Sequence, residues 1–333
     1  MSEPDVVLGD PHGSCRIIVD STGDFTPEVL EKLNVDMLSF PYILDGEEYL
    51  DDIWQSITPK EFYDKIRNGA KASTAAVSAG RYFELFQACA DEGTPTIYIC
   101  LTSGLSSSYS VAASVGDKVR ELNPGFELYV LDSGAPSATC ELLTIEAVRL
   151  RDAGRPAKEI ASWITEAKYF IHGYFTLENL DQLAAGGRIP PAAAQLTGRL
   201  DVKVELSYDF VGALTLVGIN RGRKKALRSL VNSFEEDRDP NVTNMPAIIV
   251  TADAEKDGDW VEDAVRKIDG CEDMVIIRGS VGPILGSHVG PGMVGFGFWG
   301  KDRREQLSLS DRIAKKVRGS DGQGAQSAGD VQG

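Results

Sequence analysis

Short runs of branched apolar residues alternate with helical periodicity through the first half of the chain. Three of these runs, at residues 15–20, 96–102 and 127–133, have the length and β-branched content of buried strands. Amphipathic stretches separate them, and Thr58-Pro59 has the cap-plus-proline signature of a helix start. This alternation of strands and helices predicts a parallel sheet that is covered by helices on both faces.

The pattern changes after about residue 170. Further strand-like runs follow at closer spacing, and the stretch 202–220 predicts a hairpin whose turn lies near Asp209–Gly212. Helical stretches lie between the strands. The clearest of them has four large apolar residues on one face: Leu227, Leu230, Val231 and Phe234. The second half therefore predicts an α+β arrangement with a mixed sheet.

These patterns predict an α/β fold with two domains. Residues 15–169 form the domain with the parallel sheet, and residues 170–317 form the domain with the mixed sheet. The flanking residues 1–14 and 318–333 contain little that could be buried, so we expect a flexible leader and a disordered tail. Ligands of parallel sheets bind at the carboxyl ends of the strands. The corresponding positions are Asp20–Thr22, Thr102–Ser106 and Asp132–Ser133.

Charge and composition exclude several classes of function. The formal net charge is −16, from 34 basic and 50 acidic residues, so the surface repels nucleic acids and anionic lipid headgroups. We expect no nucleic-acid partner and at most a transient membrane contact. No apolar run is long enough to span a bilayer, and the start lacks the basic and apolar regions of a signal peptide.

The five cysteines indicate a cytoplasmic location. They are scattered, odd in number and never arranged as C-x-x-C, which favours reduced thiols in the cytoplasm and argues against a zinc site or a disulfide framework. We therefore expect a cytoplasmic protein without a metal site.

Two near matches to nucleotide-binding motifs lie in the glycine-rich segment 281–300. Residues 290–295 spell G-x-G-x-x-G, but they neither directly follow a predicted strand nor begin a helix. Residues 295–302 miss a phosphate-binding loop because Asp302 stands where a Ser or Thr would bind magnesium. A packed strand of glycine and aromatic residues explains this part of the segment better.

A third motif supports an alternative function. The pentapeptide 104–108 follows a predicted strand and precedes a predicted helix, which is the setting of a hydrolase nucleophile elbow. Asp132 and His288 follow Ser106 in the chain order of an α/β-hydrolase triad. The last position holds Ser108 rather than glycine, which would crowd the sharp turn. A serine hydrolase or esterase that uses Ser106, Asp132 and His288 remains the alternative.

His288 is the histidine most suited to a functional role, because glycines flank it on both sides. Glycine lets the backbone approach a ligand closely, so we expect the glycines at 282, 286, 290 and 292 to wrap past a ligand. The apolar residues of the same segment are candidates to line its pocket or to pack behind it: Ile284, Leu285, Met293, Phe296 and Phe298.

Seven stretches, spread in order from about Cys15 to Gly300, resemble motifs of the DegV family of bacterial fatty-acid-binding proteins. They are IIVDSTGDFTPE (17–28), STAAVS (73–78), TSGLSSSYSVA (102–112), VLDSGAPS (130–137), LAAGGRI (183–189), NRGRKKAL (220–227) and VGPILGSHVGPGMVGFGF (281–298). The resemblance implies a Rossmann-like first domain, an α/β second domain, and one fatty acid in a pocket at or near their junction.

The resemblance also implies roles for single residues. Thr74, Ser106 and His288 match the polar trio that holds the fatty-acid carboxylate. Arg188, in the GGRI match, is a candidate contact for a partner or for a transferred phosphoryl group. The chain departs from the family at 75–77, where Ala, Ala and Val replace the usual Ser, Gln and Pro. From this change we expect fewer hydrogen bonds around the fatty-acid carboxylate, or a different preferred ligand.

In many bacteria, proteins of this family are the acyl-carrying subunit of a fatty acid kinase. A separate kinase subunit phosphorylates the bound carboxylate to an acyl phosphate, which feeds phospholipid synthesis. The resemblance therefore implies a carrier without turnover of its own, with no catalytic residue and no cofactor. Its expected partners are a long-chain fatty acid and the kinase subunit.

Overall fold

The structure is a computed structural model that describes residues 8–9, 13–196, 198–199, 201–242 and 244–305. The expected disordered tail and most of the expected leader lie outside the described residues.

Thirteen strands are present in the described residues. They are β1 Arg16–Asp20, β2 Asp36–Leu38, β3 Pro41–Leu44, β4 Glu47–Leu50, β5 Ala72–Thr74, β6 Thr96–Cys100, β7 Leu128–Asp132, β8 Ile171–Thr176, β9 Val202–Tyr208, β10 Leu214–Arg221, β11 Ala247–Thr251, β12 Ile276–Ser280 and β13 Val294–Trp299.

Eleven α-helices connect these strands within the same part of the chain. They are α1 Pro27–Leu33, α2 Pro59–Arg67, α3 Ala79–Glu92, α4 Ser108–Leu122, α5 Ala138–Asp152, α6 Ala157–Ala167, α7 Asp181–Ala185, α8 Pro191–Ala194, α9 Arg223–Asp237, α10 Glu255–Val265 and α11 Pro283–Val289.

The strands form three sheets. The first is parallel, with the order β2-β1-β6-β7, and the last is mixed, with the order β10-β9-β8-β13-β11-β12. In the mixed sheet β11 and β12 are parallel, whereas the other neighbours are antiparallel. This arrangement confirms the predicted α/β class. A small antiparallel sheet of order β4-β3-β5 was not predicted, because its strands are only three or four residues long.

Several helices and strands lie where local sequence signals predicted them. At the start of α2, the Thr58 hydroxyl accepts a hydrogen bond from the Glu61 amide at 3.2 Å, and the Glu61 carboxylate accepts one from the Thr58 amide at 3.0 Å. The predicted hairpin is the antiparallel pair β9–β10, whose turn is held by a hydrogen bond from the Gly212 amide to the Asp209 carbonyl. The large apolar face predicted for the helix after this hairpin is buried in α9.

Helix α5 lies between the parallel and the mixed sheet, and most of its residues are buried. Its first turn packs directly on the mixed sheet, since a Cβ atom on Gly297 would lie 2.8 Å from the Cβ of Ala138. A Cβ atom on Gly173 would lie 2.7 Å from the Thr139 methyl. Glycine is therefore required where this helix meets the sheet. Helix α11 contacts β5, β3, α2 and α7.

Candidate functional site

A largely apolar cavity lies where the carboxyl ends of β6 and β7 meet the mixed sheet and α11. It encloses about 760 Å³ of space that is free of protein atoms, its open mouth included. Its apolar lining residues are Phe40, Ala75, Leu101, Leu105, Pro136, Phe175, Leu183, Tyr208, Leu214, Val281, Ile284, Leu285, Val289 and Met293. Its polar lining residues are Thr74, Ser106, Ser108, Ser137, Arg188 and His288.

The structure brings the three residues of the expected polar trio to this cavity from three separate elements. Thr74 is the last residue of β5, Ser106 lies in the loop between β6 and α4, and His288 lies in the last turn of α11. Thr74 Oγ1 is 3.0 Å from His288 Nε2, although the two residues are 214 positions apart in the chain. All three side chains are only partly buried, so they can contact a ligand in the cavity.

His288 is held in a neutral state by its surroundings. Burial lowers the pKa of its imidazole to about 4, and the nearby positive charge of Arg188 contributes in the same direction. Its Nδ1 atom is buried without a hydrogen-bond partner and faces Gly186, where any Cβ atom would overlap the ring. A neutral ring that donates from Nε2 to the Thr74 oxygen leaves the Thr74 hydroxyl free to donate to an anion.

Ser106 is positioned by its own loop. Its Oγ atom accepts a hydrogen bond from the Ser108 amide at 3.2 Å and lies 2.9 Å from the Ser108 hydroxyl. When the Ser108 hydroxyl is the donor in this contact, the Ser106 hydroxyl hydrogen is available for an acceptor in the cavity.

The hairpin β9–β10 supports the same loop from the mixed sheet. A Cβ atom on Gly104 would overlap the backbone of residues 212–213, and a Cβ atom on Gly212 would overlap the Thr102 hydroxyl. Gly212 also has a positive φ of 78°, which glycine adopts without strain. Two glycines in contact therefore fix the position of the loop that carries Ser106.

Arg188 lies at the surface of the cavity and belongs to its lining. Its Nε atom donates to the Leu105 carbonyl at 3.3 Å, and its Nη1 atom donates to the Gly186 carbonyl at 2.5 Å. The side chain thus connects the loop after α7 to the loop that carries Ser106. The guanidinium places a positive charge next to the polar end of the cavity.

The apolar candidates of the sequence divide into two groups. Ile284, Leu285 and Met293 line the cavity. Phe296 and Phe298 do not, because they lie on the opposite face of β13, where their ring centroids are 5.1 and 4.9 Å from that of Phe234. Their side chains pack in the core behind the sheet, which is one of the two arrangements expected for these candidates.

The glycines around His288 lie at close contacts and at a turn. A Cβ atom on Gly286 would lie 2.5 Å from the Tyr63 hydroxyl, and one on Gly282 would lie 3.0 Å from Asp24 Oδ1. Gly290 and Gly292 have positive φ values of 71° and 87° and form the turn between α11 and β13. These glycines allow α11 to pack against Tyr63 and Asp24 and allow the chain to reverse after the helix.

The hydrolase triad is not assembled. The Asp132 carboxylate accepts hydrogen bonds from the Gly134 amide at 2.8 Å and from the Ser103 hydroxyl at 2.5 Å. His288 is hydrogen-bonded to Thr74 through Nε2, and its Nδ1 has no partner. Ser106, Asp132 and His288 follow one another in the chain in the order of a catalytic triad, but their side chains do not form the hydrogen-bonded triad of a hydrolase.

Several cavity residues were not found from the sequence. Phe40, Phe175, Tyr208 and Leu214 line the cavity but come from separate strands and loops of both domains. Their apolar character predicts burial, but nothing in their spacing distinguishes a cavity lining from a packed core.

Two buried carboxyl groups lie directly behind the cavity. Asp24 accepts hydrogen bonds from the Gly282 amide at 2.7 Å and from the hydroxyl of Ser137, which lines the cavity. Burial raises the pKa of Asp24 to about 8 and that of Asp51 to about 7. Asp24 thus connects the loop after β1 to the start of α11, the helix that carries His288.

Comparison with known proteins identifies the family. A family profile described as "Uncharacterised protein, DegV family" matches residues 14–301. The chain belongs to the DegV family. A DegV domain-containing protein of Clostridium perfringens, CPE0026, is 30% identical over 284 residues, which cover 85% of this chain and 97% of the relative.

Two solved structures share the fold. The stearic acid-binding protein of Eubacterium ventriosum has a TM-score of 0.75 at 26% identity, with 88% of this chain and 100% of that chain covered. The Fatty Acid Kinase (Fak) B3 protein of Streptococcus pneumoniae, loaded with linoleic acid, has a TM-score of 0.72 at 19% identity, with 86% and 99% covered. At 19% identity, the similarity to the Fatty Acid Kinase B3 protein shows a shared fold only.

This DegV chain departs from the family motif at residues 75–77, and the structure shows where the departure lies. Ala75 is part of the cavity lining next to Thr74, whereas Val77 is buried in the core. The replacement of Ala75 by a serine would place another hydroxyl at the polar end of the cavity.

Two further observations concern the described part of the chain. It contains no group of three or more His, Cys, Asp or Glu side chains arranged to hold a metal ion, and all five cysteines are buried and unpaired. No helix in these residues has the length and apolar character needed to cross a bilayer.

Proposed function

We propose that this DegV protein binds one long-chain fatty acid in the cavity and presents its carboxylate to a separate kinase subunit. The observation that carries the proposal is that Thr74, Ser106 and His288 all line one largely apolar cavity, in which Thr74 is hydrogen-bonded to His288. The structurally similar protein of Eubacterium ventriosum is described as a stearic acid-binding protein, which supports the same ligand class.

The apolar lining supplies most of the affinity in this proposal. Burying about 12 methylene groups at about 0.8 kcal/mol each gives roughly 10 kcal/mol before the cost of ordering the chain. A hydrogen bond to a charged group contributes only about 1.5–3 kcal/mol. The hydrocarbon tail therefore provides binding energy, and the polar trio orients the carboxylate and offsets its desolvation.

The chemistry of the trio is suited to a carboxylate that must react afterwards. Two hydroxyls, one of them oriented by a neutral imidazole, provide hydrogen bonds without a full positive charge, so the carboxylate oxygens keep their nucleophilicity. A bidentate arginine would stabilise the charge more strongly and weaken attack on a phosphoryl donor. The low pKa of His288 fits this role, since the ring stays neutral near pH 7.

We assign Arg188 to the phosphoryl-transfer step that follows acid binding. Its guanidinium is exposed and lies beside the loop of Ser106, so an incoming phosphoryl group or an acidic partner surface could contact it. The similarity of the fold to the Fatty Acid Kinase B3 protein supports a kinase partnership. The carrier itself performs no turnover in this proposal.

Native mass spectrometry of the purified protein, followed by organic extraction, tests the first part. We expect a single bound fatty acid per chain, or uptake of one when delipidated protein is offered oleic or palmitic acid. Protein that neither carries nor takes up such an acid would contradict the proposal.

The second part is tested by phosphoryl transfer. The acid-loaded protein is mixed with the catalytic subunit of a bacterial fatty acid kinase and radiolabelled ATP, and the acyl phosphate is measured. Arg188→Gln should reduce the rate while acid binding is retained. A rate equal to that of the wild type would remove Arg188 from this role, and binding without any phosphorylation would leave a lipid carrier that serves another acceptor.

A further inference from the structure

The start of helix α11, the helix that carries His288, is held by two buried side chains from distant parts of the chain. Asp24 Oδ1 accepts a hydrogen bond from the Gly282 amide at 2.7 Å, and the Tyr63 hydroxyl donates to the Val281 carbonyl at 2.6 Å. The exposed fractions of the two residues are only 4% and 0%, and neither belongs to the lining of the large cavity. We call Asp24 and Tyr63 the α11 anchor.

Backbone hydrogen bonds connect the α11 anchor to the turn of helix that contains His288. The Gly282 carbonyl accepts from the Gly286 amide at 2.7 Å, and the Gly286 carbonyl accepts from the Gly290 amide at 2.9 Å. Gly286 also packs on Tyr63, since a Cβ atom there would lie 2.5 Å from the hydroxyl oxygen. A helix of only seven residues depends on tertiary contacts for its stability and position. A displacement of its first turn would therefore also displace His288.

Strained backbone is found at the same place. Among the non-glycine residues with positive φ in the described part of the chain, only Ile53, Trp54 and Ser137 are neither Asn nor Asp. Ser137, with a φ of 60° and a ψ of −137°, donates its hydroxyl to Asp24. The Trp54 ring packs on the ring of Tyr63, with centroids 6.1 Å apart. Such conformations persist only where surrounding contacts hold them, and they cluster at functional sites.

The hydrogen-bond partner of His288 is held by a different set of contacts. Thr74 of β5 pairs with Tyr42 of β3, and the Ala75 amide donates to the Pro41 carbonyl at 3.2 Å. The small antiparallel sheet therefore fixes Thr74, whereas the α11 anchor fixes the helix. The distance of 3.0 Å from Thr74 Oγ1 to His288 Nε2 depends on how these two units are placed against each other.

We propose that Asp24 and Tyr63 are positioning residues for the headgroup site, which hold His288 Nε2 within hydrogen-bond distance of the Thr74 hydroxyl. This inference rests on the proposed function, because the two residues act on the fatty-acid carboxylate only through His288 and Thr74. A hydrogen bond weakens steeply as its angle departs from linear, so a small displacement of α11 disturbs the orientation of the Thr74 hydroxyl. Loss of the α11 anchor should weaken acid binding although every residue of the cavity lining is retained.

The test removes each member of the α11 anchor from the full-length protein. The ring nitrogens of isotope-labelled histidine are observed by NMR in ligand-free protein, and His288→Gln assigns the signals. Tyr63→Phe and Asp24→Ala should both move the Nε2 signal of His288. In the same variants, the Kd for oleic acid should rise about threefold to tenfold, because a hydrogen bond at the headgroup is weakened rather than deleted.

A conservative variant and a matched control accompany these two. The side-chain amide in Asp24→Asn can still accept from the Gly282 amide and donate to Ser137, so the wild-type signal and Kd should be retained. Tyr174→Phe also removes one buried tyrosine hydroxyl. That hydroxyl donates to Asp237 behind the mixed sheet, and Tyr174 does not line the large cavity. We expect Tyr174→Phe to equal the wild type in both measurements.

The possible failures are distinguishable. An unchanged Nε2 signal in both Tyr63→Phe and Asp24→Ala would overturn the inference, whatever happens to acid binding. An equal shift in Tyr174→Phe would also overturn it, because the effect would then come from general loosening. If Asp24→Ala does not fold, Tyr63→Phe decides the outcome, since it removes only a hydroxyl. A wild type that binds no acid contradicts the proposed function itself, while the His288 signal of ligand-free protein still tests the α11 anchor.

Discussion

Thr74 Oγ1 lies 3.0 Å from His288 Nε2, so the last residue of a short strand in the first domain is hydrogen-bonded to the last turn of α11. The sequence around Thr74 or His288 does not predict this hydrogen bond, because the two residues are 214 positions apart. The contact places a hydroxyl and a neutral imidazole side by side at the cavity, and the first prediction follows from it.

Removing the Thr74 hydroxyl should weaken acid binding without unfolding the protein. Thr74→Val keeps the shape of the side chain but loses one hydrogen bond to a charged group, so we expect the Kd for oleic acid to rise about tenfold to a hundredfold. Isothermal titration calorimetry measures the change. Thr165→Val is the control, because that hydroxyl bonds to the Ala161 carbonyl within α6. Equal affinity of wild type and Thr74→Val would exclude Thr74 from the headgroup site.

Loss of the Arg188 charge should raise the pKa of His288 from its value of about 4. Burial is the larger cause of the low pKa, so in Arg188→Gln it should rise but stay below the ordinary 6.5. The imidazole chemical shifts in an NMR pH titration report the value. Arg155→Gln, at the far end of α5, is the control. A pKa that does not move in Arg188→Gln would show that the guanidinium does not act on the ring.

The hairpin contact should be essential for the position of the Ser106 loop. Gly212→Ala combines a positive φ of 78° with overlap on the Thr102 hydroxyl, so the free energy of unfolding should fall by about 2 kcal/mol or more. Gly125→Ala is a matched control, because its φ is 94° and no atom lies within 4 Å of the added Cβ. Urea unfolding compares the two. Equal losses would mean that the contact with Thr102 adds nothing to the backbone strain.

The buried carboxyls should make the protein less stable as pH rises. The pKa of Asp24 is raised from 3.8 to about 8 by burial, so the native state holds a proton that the unfolded chain releases. Its contribution to stability is complete below about pH 4 and is lost as pH rises towards about 8, at up to about 1.4 kcal/mol per pH unit.

Asp24→Asn tests this linkage. The amide can accept from the Gly282 amide and donate to Ser137, so the fold is kept and the slope of the unfolding free energy against pH should become flatter. Asp91→Asn, on the exposed side of α3, should leave the slope unchanged. An unaltered slope in Asp24→Asn would mean that other groups carry the pH dependence.

Ser106 should not react as an activated nucleophile. Asp132 is bound to Ser103 and Gly134, and His288 has no carboxylate partner that could orient it as a general base. A fluorophosphonate probe should therefore leave Ser106 unlabelled, as seen by peptide mass spectrometry. Labelling that disappears in Ser106→Ala would instead support the hydrolase.

Local chemistry in the sequence determined many of the elements. The capping box of Thr58 and Glu61, the turn of the β9–β10 hairpin and the apolar face of α9 all depend on residues within one or two turns of chain. The family motifs also pointed to Thr74, Ser106 and His288, and all three line one cavity. The assignment of the trio to a carboxylate stays a prediction, as do the domain bounds.

Only the tertiary structure decided how the glycine-rich segment is used. Strand β13 alternates large apolar residues with glycines, which separates the side of Phe296 and Phe298 from the side of Gly295 and Gly297. Both faces are covered, so the alternation does not tell which side faces the cavity. Helix α11 was missed because its seven residues include a glycine and its stability comes from packing on Asp24 and Tyr63. The face of a strand that lines the cavity is decided by contacts with residues far away in the sequence. A local sequence pattern does not contain that information.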